Sequence, residues 1–172
     1  YIEDTGAAQH LRDARIMAIY EGTNGIQAND LIGRKILRES GSSMLRLISD
    51  MRDDITGATV DEGGPLAAIL LATRQSIDDL ESAVDWVLHS ASNDPEGVSA
   101  GAAAFLKLSG NAICGWLMAK CAIKTQILMD QGDPPGEKLM GRMHSARHFA
   151  ETVLPQTTAA LSTLMSGQPA VA

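Results

Sequence analysis

Glu21 is the residue best placed to do chemistry. In the run Ile19-Tyr20-Glu21-Gly22-Thr23-Asn24-Gly25-Ile26-Gln27 it is followed by four residues that hold a helix poorly. Gly22 tolerates backbone conformations closed to other residues and lets another molecule approach the main chain. Thr23 or Asn24 suits the cap of a helix that runs on from there. The start of such a helix offers free N–H groups and positive dipole character to carbonyl or phosphate oxygens. A carboxylate in a water-poor setting of this kind can abstract a proton, although on local features alone a solvated surface group is the default. Two other sets are weaker. His144 and His148 lie one helical turn apart, but Ser145, Ala146 and Arg147 between them supply no carboxylate, so they are expected to be surface or interface histidines and no metal site is expected. Cys114 and Cys121 share a helix face about 10 Å apart, too far for a disulfide, and are expected as buried core thiols.

The elements that must position Glu21 are helices. Residues 5–18 predict one, with Leu11, Ala14, Ile16 and Met17 apolar. A second follows the link, with Ile26, Leu31, Ile32 and Ile36 on its apolar face and Arg34, Lys35 and Arg38 at a basic end. A polar, glycine-containing joint at 39–43 leads to a short helix whose apolar face is Met44, Leu47, Ile48, Met51 and Ile55. After Pro65, the residues Leu66, Leu70, Thr73, Ile77, Leu80, Val84 and Val87 recur in steps of four and three, with Arg74, Asp78, Asp79, Glu81 and Asp85 off that stripe. An intramolecular bundle is favoured over a dimer coiled coil. A Gly- and Ala-rich helix is expected over 96–129, where Gly110 and Gly115 point to close helix approach. A last one, over 137–165, should kink at Pro155. The fold class is all-α, an antiparallel helical bundle.

Composition narrows the partners. The chain has 172 residues, 14 basic against 21 acidic, a formal net charge of −7, and 3% aromatic residues. With no basic stripe carrying interleaved aromatics, nucleic acid is disfavoured. Charge or glycine interrupts the apolar residues throughout, so no membrane span is expected, and no signal peptide is visible. A cytoplasmic location is the expectation. The chain begins at Tyr1 and enters the Glu21 run within twenty residues, as a C-terminal fragment would.

Three segments together, Arg12-Asp13-Ala14-Arg15-Ile16, the run 19–27, and Asp30-Leu31-Ile32-Gly33-Arg34-Lys35, resemble the end of the catalytic domain of the acyl-CoA dehydrogenases. The resemblance implies a flavoenzyme of fatty acid β-oxidation, with FAD as cofactor, that oxidises an acyl-CoA thioester to its trans-2-enoyl product. It makes Glu21 the base that removes the α proton while the β hydrogen leaves as hydride to the flavin. It implies that the backbone N–H of Glu21 and a flavin hydroxyl polarise the thioester carbonyl. Gly22 would lie against substrate, and Thr23, Asn24, Gly25 and Gln27 against flavin. Implied partners are an electron-transfer flavoprotein and further copies of the chain, as a dimer or tetramer. On this basis residues 1–40 end the catalytic domain and 41–172 form a helical extension. The extension is similar to that of a subgroup holding broad-range bacterial and methylmercaptopropionyl-CoA dehydrogenases. The 172 residues alone are expected to be inactive. An acyl-CoA oxidase of the same fold and a non-catalytic helical oligomerisation module are the alternatives.

Overall fold

The computed structural model describes residues 4, 6–20, 23–58, 63–131 and 136–166, and among them every regular element is helical. The order is α1 (Ala7–Ile16), α2 (Asn24–Asp30), a π-helical segment (Leu31–Ile36) with a closing 3₁₀ turn (Leu37–Glu39), α3 (Ser42–Thr56), α4 (Pro65–Ser90), α5 (Pro95–Ala100), α6 (Ala102–Asp130), α7 (Glu137–Thr152) and α8 (Gln156–Met165). The fold is all-α, as expected.

The centre is α4. All seven stripe residues from Leu66 to Val87 are buried, and Ile69, Ser76, Asp79 and Ala83 join them. The buried arc is wider than a two-helix seam because α3, α6, α7 and α8 all pack on this one helix. The stripe is thus consumed within the chain. Asp79 departs from the expected solvent side, and its carboxylate accepts hydrogen bonds from Thr157 Oγ1 at 2.7 Å, Thr158 Oγ1 at 2.9 Å and Gln75 Nε2 at 3.0 Å.

Ion pairs fasten α3 antiparallel to α4. Arg52 donates to Glu81 at 2.7 and 3.0 Å and to Asp78 at 2.6 Å, which raises the guanidinium pKa and holds the Glu81 carboxyl below its ordinary value. On the other side Asp54 accepts from Lys120 at 2.8 Å and from Trp116 Nε1 at 3.0 Å, and its carboxyl is likewise lowered, chiefly by Lys120.

Two expected helices are divided. The stretch 96–129 breaks at Gly101, where a side chain would stand 2.6 Å from Leu164 Cδ1 and 3.1 Å from the Leu164 carbonyl, so α8 approaches the backbone itself. Asp94 caps α5 by accepting from the Gly97 N–H at 2.9 Å. The last stretch does not kink at Pro155 but ends and restarts. The ring removes a donor, and Val153 and Leu154 both bond back to the Phe149 carbonyl before α8 begins. The glycines of α6 differ. A Cβ on Gly115 would meet Leu154 Cδ2 at 2.5 Å, whereas Gly110 faces open space and has no packing role. By length and composition α6 reaches the range of a membrane-crossing helix, which the sequence did not lead us to expect. Its apolar character matches its place between α3, α4, α7 and α8.

Candidate functional site

The link of interest leaves α1 through tight turns. Ala18 N–H donates to the Arg15 carbonyl at 3.2 Å, and Ile19 and Tyr20 donate to the Ile16 carbonyl at 3.0 and 2.8 Å. Glu21 and Gly22, the expected base and substrate contact, lie outside the described residues. The chain resumes at Thr23 in extended conformation (φ −71°, ψ 130°), which is the N-cap of α2 and accepts the Gln27 N–H on its carbonyl at 3.1 Å. Its hydroxyl makes no capping bond, and Asn24 is already helical. The expected cap is therefore Thr23 by position, with its side chain left uncommitted.

The four expected flavin contacts share one open surface. Thr23, Asn24, Gly25 and Gln27 are all exposed, and nothing stands within 4 Å of where a Gly25 side chain would begin. Ile26 was expected in the apolar face and is instead 65% exposed. Two positions along a helix turn about 200°, so Ile26 points away from Ala28, which is fully buried. The packing face is Ala28, Ile32 and Ile36, with Leu31 and Leu37 partly buried beside them.

A four-residue repeat would drift around an ordinary α-helix, and here it does not. The segment Leu31–Ile36 is π-helical, and the Leu37 N–H bonds to the Ile32 carbonyl five residues back. The wider turn returns Ile36 to the face of Ile32 and Ala28. Of this face, α2 packs on α6 and the π-helical segment on α3 and α4, and Ser99 Oγ of α5 donates to Asn29 Oδ1 at 3.0 Å from the side. The run ends where Ser40 (φ 50°) and Gly41 (φ 75°) both turn left-handed and the Gly41 N–H closes on the Ile36 carbonyl at 2.8 Å. Gly41 packs against α4, its Cβ direction only 3.0 Å from Leu88 Cδ1.

The other candidates do not converge on this surface. His144 and His148 are exposed on α7, and among the described residues no group of three or more His, Cys, Asp or Glu side chains could hold a metal ion. Cys114 and Cys121 are free and exposed, which corrects the expectation of buried thiols: α6 buries Leu108, Ala112, Gly115, Ala119 and Ala122, and both cysteines lie on its far side. A hollow of about 490 Å³ between the ends of α3 and α6 is lined by Asp53, Asp54, Leu66, Ile123 and Asp130, away from the link. The Asn29–Ser99 contact had no local signal in the sequence, since 70 residues separate its partners. The π-helical segment had none either, since the spacing of Ala28, Ile32 and Ile36 is that of an ordinary α-helical face.

Residues 47–172, which begin within α3, match the model of the family described as acetyl-CoA dehydrogenase C-terminal like. The chain belongs to the acyl-CoA dehydrogenase family. It is 36% identical over 159 residues to 3-methylmercaptopropionyl-CoA dehydrogenase of Ruegeria pomeroyi, covering 92% of this chain and 27% of that protein. It is 29% identical over 164 residues to the broad-specificity linear acyl-CoA dehydrogenase FadE5 of Mycobacterium tuberculosis, with 92% and 27% covered. A butyryl-CoA dehydrogenase of Syntrophomonas wolfei is 28% identical over 162 residues, with 90% and 25% covered. The chain spans about a quarter of the length of these curated relatives.

Proposed function

We propose that this chain is the C-terminal part of a flavin-dependent acyl-CoA dehydrogenase, in which Glu21 removes the α proton of an acyl-CoA thioester. The observation that carries the proposal is the division of α2 into two faces. Ala28, Ile32 and Ile36 are committed to the bundle, while Thr23, Asn24, Gly25 and Gln27 present uncommitted polar groups and bare backbone beside Glu21. That donor set fits a flavin dinucleotide: a free hydroxyl, two carboxamides and a glycine that lets a ligand reach the main chain. Bound there, the flavin supplies the acceptor for the two electrons of the oxidation.

The residues of this chain do the rest. The Glu21 carboxylate takes the proton, which requires a partner surface to exclude water and raise its pKa towards the working range. The Glu21 N–H stabilises the thioester oxygen as charge develops on it, and Gly22 lets the thioester lie against the backbone. The left-handed pair Ser40 and Gly41 supports a boundary near residue 40 between the end of the catalytic domain and a helical extension. Because water exclusion and most of the flavin contacts need further chain, the 172 residues alone should neither hold flavin tightly nor turn over. In the full-length protein, taken to be a cytoplasmic homo-oligomer that passes electrons to an electron-transfer flavoprotein, anaerobic addition of an acyl-CoA should bleach the flavin. Air admitted afterwards should yield little hydrogen peroxide. Stoichiometric peroxide would instead indicate an oxidase, and no bleaching with any acyl-CoA would leave the chain a non-catalytic module.

A further inference from the structure

We infer that the hollow between α6 and the first half of α7 binds a straight-chain carboxylate, with Lys138 and Arg142 holding the anion and an apolar floor holding the chain. The hollow measures about 430 Å³ and is lined by Met118 and Cys121 of α6 and by Lys138, Gly141, Arg142 and Ser145 of α7. None of these residues belongs to the link or to α2. The two cations stand four residues apart on one face of α7, a spacing at which like charges destabilise a helix. Elsewhere in the bundle such charges are answered: Arg52 by Glu81 and Asp78, Lys120 by Asp54, and Arg147, further along α7 itself, by Glu151. Among the described residues Lys138 and Arg142 have no carboxylate partner, and no acidic residue lines the hollow. In a chain of net charge −7 this is a local excess of positive charge. An anion between the two turns relieves their repulsion, and the guanidinium can take a carboxylate on two of its N–H groups.

Gly141, between the two cations, points to the same place. Within α7 a glycine lowers helix propensity, and nothing stands within 4 Å of where its side chain would begin, so no packing accounts for it. It leaves the helix backbone bare on the wall of the hollow, where a ligand can lie close. The floor selects the rest of the ligand. Met118 and Cys121 are apolar, and a methionine adapts readily to an alkyl chain. No aromatic side chain lines the hollow, so a nucleotide base has nothing to stack on, which favours a plain alkyl carboxylate over a nucleotide or a CoA thioester.

The test uses the full-length protein and follows alkylation of Cys121 by N-ethylmaleimide, read peptide by peptide by mass spectrometry. Cys114, two turns earlier on α6, exposed and outside the hollow, is the internal control. Decanoate, kept below micelle formation, should slow alkylation of Cys121 saturably and leave Cys114 unchanged. Hexanoate and octanoate should act likewise, with affinity rising by up to about fourfold per added methylene along the series. Decanol and inorganic phosphate, each with half of the required chemistry, should not protect at the same concentrations. Lys138→Ala and Arg142→Ala should each weaken protection by decanoate about two- to fivefold, as for exposed ion pairs, and the double variant should lose it. Gly141→Leu, which keeps both cations and fills the hollow, should lose it as well. Equal protection by decanol or by phosphate, equal protection of Cys114, or protection that persists in the double variant would overturn the inference. So would the absence of protection by all three carboxylates. The comparison of decanoate with decanol on the wild type decides without any variant, and whether Glu21 is the base bears on none of these outcomes.

Discussion

Two carboxylates matter most at the residue scale, Glu21 for the proposed chemistry and Asp79 for the fold. Glu21 is proposed as a base because the residues around it are informative by type: Gly22, Thr23, Asn24 and Gly25 do not propagate a helix by propensity, and their order carries the family resemblance. Asp79 was not legible. It sits beside the core stripe of α4, where charge ordinarily faces solvent, and only the arrival of α8 buries it to 4% exposure. There it does for α8 what that helix lacks, since Pro155 at the N-cap provides no capping oxygen and the Asp79 carboxylate meets the first turn through Thr157 and Thr158. Replacing Asp79 with Ala should therefore cost about 2–3 kcal/mol, as expected for loss of hydrogen bonds to a charged group, in urea unfolding. Thr158→Ala should cost about 1 kcal/mol. A neutral Asp79→Ala variant would mean that the carboxylate is solvated after all. The cysteines teach the same lesson in reverse, because Cys114 and Cys121 are apolar by type but are exposed on α6, Cys121 at the edge of a hollow shared with Lys138, Gly141 and Arg142 of α7.

At the scale of the element, the long periodic pattern of α4 was readable because it is written many times over. The divisions in the later helices were not. Gly101 and Gly115 look alike in sequence to Gly110, yet the first two are met by Leu164 and Leu154 of α8 and the α7–α8 turn, and the third by nothing. Two substitutions separate the cases. Gly110→Ala should stabilise the chain by up to about 1 kcal/mol, the helix-propensity difference, with no steric penalty. Gly115→Val should destabilise it by about 1–3 kcal/mol, because a buried Leu154 must be displaced. Thermal melts of both variants check the pair, and stabilisation by both would contradict the close α6 approach. The π-helical segment was missed for a different reason: a helix-period reading assumes a single turn width, and the spacing of Ala28, Ile32 and Ile36 suits an ordinary α-helical face as well.

At the scale of the whole molecule, the bundle is a helical platform that carries the proposed site on one open edge. The ion pairs that clamp α3 make the platform sensitive to acid. Glu81 and Asp54 have lowered pKa values in the folded chain, so the stability they contribute is complete above the ordinary carboxylate range and is lost as pH falls through about 4 and below. Unfolding midpoints should decline over that window, more steeply for the native chain than for Arg52→Ala. Arg52→Ala itself should cost on the order of 1 kcal/mol near neutral pH, because the pair is partly exposed. The edge bears on the proposed function. Leu11, Ile16, Met17, Ile19, Tyr20 and Ile26 all stand substantially exposed on either side of the link, an apolar surface of the kind the proposed base would need covered to exclude water. The most direct test is the Glu21→Gln variant of the full-length protein, mixed anaerobically with acyl-CoA while flavin absorbance is followed. A fold and flavin content like the wild type, with reduction slowed by about two to four orders of magnitude, is the predicted result. Reduction at the wild-type rate would contradict it and show that the base lies elsewhere.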